Sequence, residues 1–247
     1  MLAGLLMLIN TAQTTNLLAL QDFTFDLSEQ RLLWLLFFIS FAVKIPIVPL
    51  HIWLPEAHVQ APTSGSVLLA GILLKLGFYG ILRFSFTLFP EATTYFTPLV
   101  FTIAILSVLL ASATTLRQID IKRIIAYSSV VHMNFALFGL FSNTLEGLQG
   151  AVYVLLSHGI VSGGLFLAVG VLYDRYHNRL LPYFSGLVLT MPLFTTFFFI
   201  FSISNLALPG TSSFVGELLI LLGGVQQNMP IMFLGVFSLI LGTAFSL

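Results

Sequence analysis

Cysteine is absent from the 247-residue chain. Disulfides, thiolate-held metals and iron–sulfur clusters are therefore excluded. Charge is nearly as scarce. Asp, Glu, Lys and Arg make up 7% of residues, where a soluble domain carries about a quarter. Nine basic and nine acidic residues cancel, which leaves no electrostatic footprint for nucleic acid. No P-loop, dinucleotide-binding glycine pattern or nucleophile elbow occurs. The first residues, MLAGLLMLIN, lack a basic n-region and any Arg-rich amphipathic pattern, so the start resembles neither a signal nor a transit peptide. The expectation is a chain made in the compartment that inserts it, or one whose true start lies elsewhere.

What is present is hydrocarbon. Hydrophobic residues make up 58% of the chain, 25 of them Phe, and mean hydropathy is +1.04. Apolar runs of about eighteen residues or more recur along nearly the whole length, the signature of an all-α polytopic membrane protein. About eight segments are expected. The first covers about residues 1–20. The second starts at Leu32, is interrupted by Pro46 and Pro49, and ends in a polar turn with His51, Pro55, Glu56 and His58. Further helices are expected from about Pro62 to Phe86, Thr94 to Leu116, Ile121 to Phe141 and Leu148 to Leu172. The seventh, Pro192 to about Leu222, is broken at Leu208-Pro209-Gly210 and restarts at Thr211-Ser212-Ser213, which is good N-cap chemistry. The eighth begins near Pro230 and reaches the last residue.

Proline removes a helical hydrogen bond, and in lipid such a break survives only inside protein or beside a wet cavity. The broken segments are second and seventh in order. An odd offset inserts them in opposite directions, the pattern of inverted-repeat transporters with a site near the midplane. The loops sort by charge. Those around 51–61, 117–123 and 174–181 carry Arg117, Lys122, Arg123, Arg175 and Arg179; the opposite loops carry only Arg31 and Arg83. The basic loops are expected on the cytoplasmic or matrix side.

Ionisable groups at bilayer depth cost about 2.5–3.5 kcal/mol each on insertion scales, and by default mark ion or proton paths. Lys44 lies just before the first break, where helix carbonyls point at its ammonium. Lys75 is about thirteen residues into its helix, near mid-bilayer at about 1.5 Å per residue. His132 and His158 are central in theirs. Glu217 sits in the first turns of the restarted half-helix, where free amides favour a carboxylate. Five titratable groups thus share one depth on five helices. With helices about 8–10 Å apart, waters are expected to link them. Snorkelling lysines, helix–helix histidine bonds and a capping Glu217 are the structural alternatives. His51, Glu56 and His58, at the membrane edge, fit structural bonding or proton access. Tyr127-Ser128-Ser129 could bond a broken helix or a neighbour.

Several long stretches carry a resemblance: FAVKIPIVPLHIWLPEAH, VQAPTSGSVLLAGILLKLGFYGILRF, DIKRIIAYSSVVHMNFALFG, VYVLLSHGIVSGGLF and PGTSSFVGE. Together they cover nearly the whole chain, and they resemble the antiporter-like, M-type membrane subunits of respiratory complex I. The resemblance implies a proton-translocating subunit of NADH:ubiquinone oxidoreductase. Lys44 and Lys75 would be the relay lysines, His132 and His158 the connecting axis, and Glu217 the distal acid. It implies residues 1–90 as the remainder of a first inverted repeat and 91–247 as a second repeat truncated at its end. It implies no redox centre or cofactor in this chain, with FMN, iron–sulfur clusters and ubiquinone on other subunits. It also implies partners among the membrane-arm subunits and lipids, and a multi-pass place in the mitochondrial inner membrane with the basic loops in the matrix.

The family carries a membrane Glu on an upstream helix, paired with the residue matching Lys44. Here the first Glu is Glu29, in a loop. The expectation is a separate polypeptide supplying the missing helices, or a partial sequence. Two alternatives remain open at this point: a subunit of a multisubunit cation/proton antiporter, and a proton-inert structural fragment of the membrane arm.

Overall fold

The computed structural model describes residues 1–227 and 229–246. Among them the secondary structure is helical, with one isolated antiparallel bridge between Asp120 and Leu180. The helices are α1 (Leu2–Ala12), α2 (Leu17–Gln21), α3 (Leu27–Lys44), α4 (Trp53–Gln60), α5 (Thr63–Leu88) and α6 (Pro90–Thr115). They continue as α7 (Ile121–Phe141), α8 (Leu145–Tyr176), the short α9 (Leu187–Thr190), α10 (Pro192–Asn205), α11 (Ser212–Gln227) and α12 (Met229–Ser246). Four of these, α5 to α8, are long and apolar enough to cross a membrane. Leu247, the expected end of the last helix, lies outside the described residues.

The ends follow local chemistry. Asp26 accepts from Ser28 N to start α3, Asp120 accepts from Lys122 N and Arg123 N to start α7, and Thr144 accepts from Gly147 N to start α8. Pro90 and Pro192 occupy the first turns of α6 and α10, where a missing N–H costs nothing. The expected first segment is two pieces. Gln13 adopts a left-handed conformation and ends α1, and Asn16 caps α2 through Leu18 N at 3.1 Å. Both proline-containing breaks occur where the sequence puts them. α3 stops at Lys44, and the chain from α10 to α11 turns through Ala207 and Gly210, both at positive φ.

Helix α7 is the hub. Of its apolar window 83% is buried, against 39% for α5, so α7 is the central element and α5 a lateral one. It packs on α4, α6, α8 and α11. The main core runs from Trp34, Phe37 and Phe41 of α3 through Val100 and Ala104 of α6 to Phe135 and Phe138 of α7. Helices α8 and α11 approach closely through glycine: a β-carbon on Gly216 would lie 2.6 Å from Val154 Cγ2, and one on Gly150 would lie 2.8 Å from Gly216 O. Such small-residue contacts are how membrane helices gain packing where no hydrophobic drive separates helix from lipid.

Candidate functional site

The three basic loops meet at one end of the bundle. Lys122 Nζ donates to Ala61 O at 3.2 Å and Arg179 Nη1 to Val59 O at 2.7 Å, cations against the carbonyl end of α4. Arg123 pairs with Glu56 at 2.8 Å, and Arg179 lies 3.6 Å from Asp120. Glu56 therefore ties α4 to α7. His58 is fully buried and stacks on Phe166, ring centroids 4.3 Å apart. His51 meets the edge of Tyr127 at 6.2 Å. None of the three is hydrogen-bonded to the row described next. Ser128 and Ser129 both donate back to Ile125 O of their own helix, so the expected reach to a neighbour is not made.

Four of the five mid-depth groups form a row. Lys75 Nζ is 3.0 Å from His158 Nδ1. The rings of His158 and His132 are 5.6 Å apart, centroid to centroid. His132 Nδ1 is 3.1 Å from Glu217 Oε1. His158, His132 and Glu217 are buried. The row thus crosses four helices, α5, α8, α7 and α11. Helix spacing argues against direct hydrogen bonds among all of these groups; two of the three steps in the row are direct side-chain contacts, and the third, between the imidazoles, is not. The reason for the direct ones is local approach closer than an average helix pair: α5 and α8 meet at glycine, where a β-carbon on Gly159 would lie 3.2 Å from Gly71 O.

A π-turn over Leu69–Leu73 adds to this. The Ala70 carbonyl, within that turn, accepts the Lys75 ammonium. An ammonium has donors only, so it meets the lone pair of His158 Nδ1 and places that ring's proton on Nε2. Ser162 Oγ donates to His158 O and lies 3.4 Å from the same Nδ1. At the other end, His132 Nδ1–H donates to the Glu217 carboxylate. The Nε2 atoms of both histidines are buried without a partner among the described residues. Between the rings lies a narrow gap that Ser157, Asn205 and Ser213 also line. Beyond it, a cleft of about 270 Å³ runs past His132 and Glu217 to the break at Asn205–Ala207. Sequence reasoning missed Ser157, Ser162, Asn205 and Ser213. For the serines the signal was a small polar residue within about one turn of His158 or Glu217, and for Asn205 its place just before the second break.

Lys44 is not in the row, which corrects the expectation of burial. It ends α3 with its side chain exposed, and makes no side-chain hydrogen bond or ion pair among the described residues. Its β-carbon lies against Gly77 of α5, where an added β-carbon would come within 3.1 Å. Beyond that contact no described element covers it.

Residues 1–242 match the transmembrane family of NADH:quinone oxidoreductases and Mrp antiporters. The chain belongs to this family. It is 55% identical over 247 residues to NADH-ubiquinone oxidoreductase chain 4 of Marchantia polymorpha, covering 100% of this chain and 50% of that one. The chain thus spans about half the length of the curated relatives it matches. Its structure superposes on a chain of respiratory complex I from Thermus thermophilus with TM-score 0.93 and 32% identity, covering 99% of this chain and 53% of the other. On a chain of the Mrp complex from Dietzia sp. DQ12-45-1b the TM-score is 0.92 with 25% identity, covering 99% and 46%.

Proposed function

We propose that this chain is a proton-translocating part of the membrane arm of an NADH:ubiquinone oxidoreductase. The observation that carries the reading is the row Lys75–His158–His132–Glu217 across a bundle with almost no other buried charge. Family membership and the complex I relatives support it.

The row has the polarity a relay needs, with a cation donor at one end and a carboxylate at the other. Lys75 gives a proton to His158 Nδ1, and the imidazolium releases the other proton from Nε2. Rotation of the imidazoles carries that proton across the gap to His132. His132 then delivers one from Nδ1 to Glu217, and the neutral amine of Lys75 is ready to be reloaded. Each transfer moves one proton between groups whose affinities a nearby charge can reorder, and that reordering is large in a poorly screened medium. Redox energy released elsewhere in the complex would drive it by shifting charge near Lys75 or Lys44.

In this reading eight segments cross the membrane: α1 with α2, the broken α3–α4, α5, α6, α7, α8, the broken α10–α11, and α12. Residues 1–90 are the remainder of one inverted repeat, and 91–247 belong to the second. The membrane is the mitochondrial inner membrane, with the basic loops in the matrix. FMN, iron–sulfur clusters and ubiquinone belong to other subunits. Partners are the other membrane-arm subunits and lipids. A further polypeptide segment covers Lys44 and brings it a carboxylate, because an ammonium facing lipid at this depth is costly. The likeness to the Mrp chain favours a second reading, in which the same row serves cation/proton exchange.

The test is Lys75→Ala in the assembled complex, reading NADH-driven proton uptake into vesicles. Loss of uptake at normal assembly is expected. Unchanged uptake would leave the chain a proton-inert scaffold, and uptake that follows a sodium gradient instead of NADH would favour the antiporter reading.

A further inference from the structure

The break after Lys44 strips several backbone groups of their helical partners. Three side chains meet them. Trp53 Nε1 donates to Val43 O at 2.9 Å, Asn134 Nδ2 donates to Pro46 O at 3.2 Å, and Ser107 Oγ accepts from Val48 N at 3.0 Å. Asn134 and Ser107 are fully buried, on α7 and α6. At this depth bulk water is no substitute for them.

Asn134 is two residues from His132. At about 100° per residue, the two point to nearly opposite sides of α7. His132 faces Glu217; Asn134 faces the break. The amide is held in one orientation. Its Nδ2 donates both to Pro46 O and to Val130 O of its own helix, at 2.9 Å. The flipped amide would set an oxygen against two carbonyl oxygens, so the arrangement is unambiguous. Ser107 is anchored in the same way, donating to Ile103 O at 2.7 Å while it accepts from Val48.

We propose that Asn134 is a positioning residue that latches the break beside Lys44 to α7, the helix carrying His132, while Ser107 braces the same break from α6. The latch holds Lys44 and the row in one frame, so a shift of the break is felt at His132 through a single rigid helix. The inference rests on the proton-path reading above.

The experiment compares Asn134→Leu, Asn134→Gln and Ser107→Ala in the assembled complex, with Lys75→Ala as the reference. Assembly is followed on native gels and proton uptake per NADH oxidised in vesicles. Asn134→Leu keeps the volume and removes the donor; its uptake falls about fivefold or more, the scale of one lost buried hydrogen bond. Asn134→Gln recovers at least half of the loss. Ser107→Ala falls about threefold. Equal loss in the Leu and Gln variants would mean that restoring the amide donor recovers nothing, and would overturn the latch. So would wild-type uptake in Asn134→Leu beside a dead Lys75→Ala. If Asn134→Leu fails to assemble, Ser107→Ala decides: reduced uptake supports the latch and unchanged uptake overturns it. Full uptake in Lys75→Ala would sink the proton path itself, and the latch with it.

Discussion

At the scale of single residues, burial separates the groups proposed to carry protons from those that tie helices together. Glu217 and His132 form a buried pair, and removing one partner leaves the other with no compensation. Glu217→Gln keeps the shape and removes the charge. Proton uptake in vesicles is expected to fall at least tenfold while the native-gel band persists. Glu56 and Arg123 are a contrast, with side chains 53% and 39% exposed. Such pairs contribute about 0–1 kcal/mol. Glu56→Gln should shift thermal stability within that range and leave uptake unchanged.

Lys75, the histidines and Glu217 were legible in the sequence because a charge inside an apolar run stands out whatever its contacts. The roles of Glu56 and His58 were not, since a polar turn at a membrane edge reads the same whether it bonds or conducts.

At the scale of elements, the breaks were legible and the close approaches were not. Pro46 with Pro49, and Leu208-Pro209-Gly210, announce interruptions through the backbone chemistry of proline and glycine. The stop in the first segment at Gln13 had no such marker, only a polar Gln13-Thr14-Thr15-Asn16 run. The π-turn beneath Lys75 is invisible in sequence because LAGIL suits an ordinary helix equally well. Glycines decide how near the helices come. A β-carbon on Gly77 would lie 2.7 Å from Ile45 Cγ1, and one on Gly216 would lie 2.9 Å from Val154 N. Gly216→Ala forces α11 from α8, a clash with backbone that cannot turn aside. Overpacking of this kind costs about 1–3 kcal/mol, readable as a lower melting temperature of the complex.

At the scale of the whole molecule, a single buried helix holds the assembly together, and the charge asymmetry of the loops is realised in space. The loops rich in Arg and Lys do meet at one end, as Arg179–Val59 and Lys122–Ala61 attest. The sequence could rank helices by apolarity but not by centrality: α7, the least apolar of the four long spans, is the most buried. It could not place Lys44, whose surroundings depend on what lies against the open side of α3. The absence of native cysteine makes that side directly testable. In Lys44→Cys the thiol should resist a membrane-permeant maleimide in the intact complex. Free labelling there would remove the proposed partner.

The account turns on continuity between the two ends of the row. The most direct measurement is proton uptake per NADH oxidised by complexes carrying His158→Leu, with Lys75 and Glu217 both in place and assembly verified on a native gel. The row predicts that uptake collapses to the level of Lys75→Ala. Uptake at the wild-type ratio with that imidazole gone would contradict it.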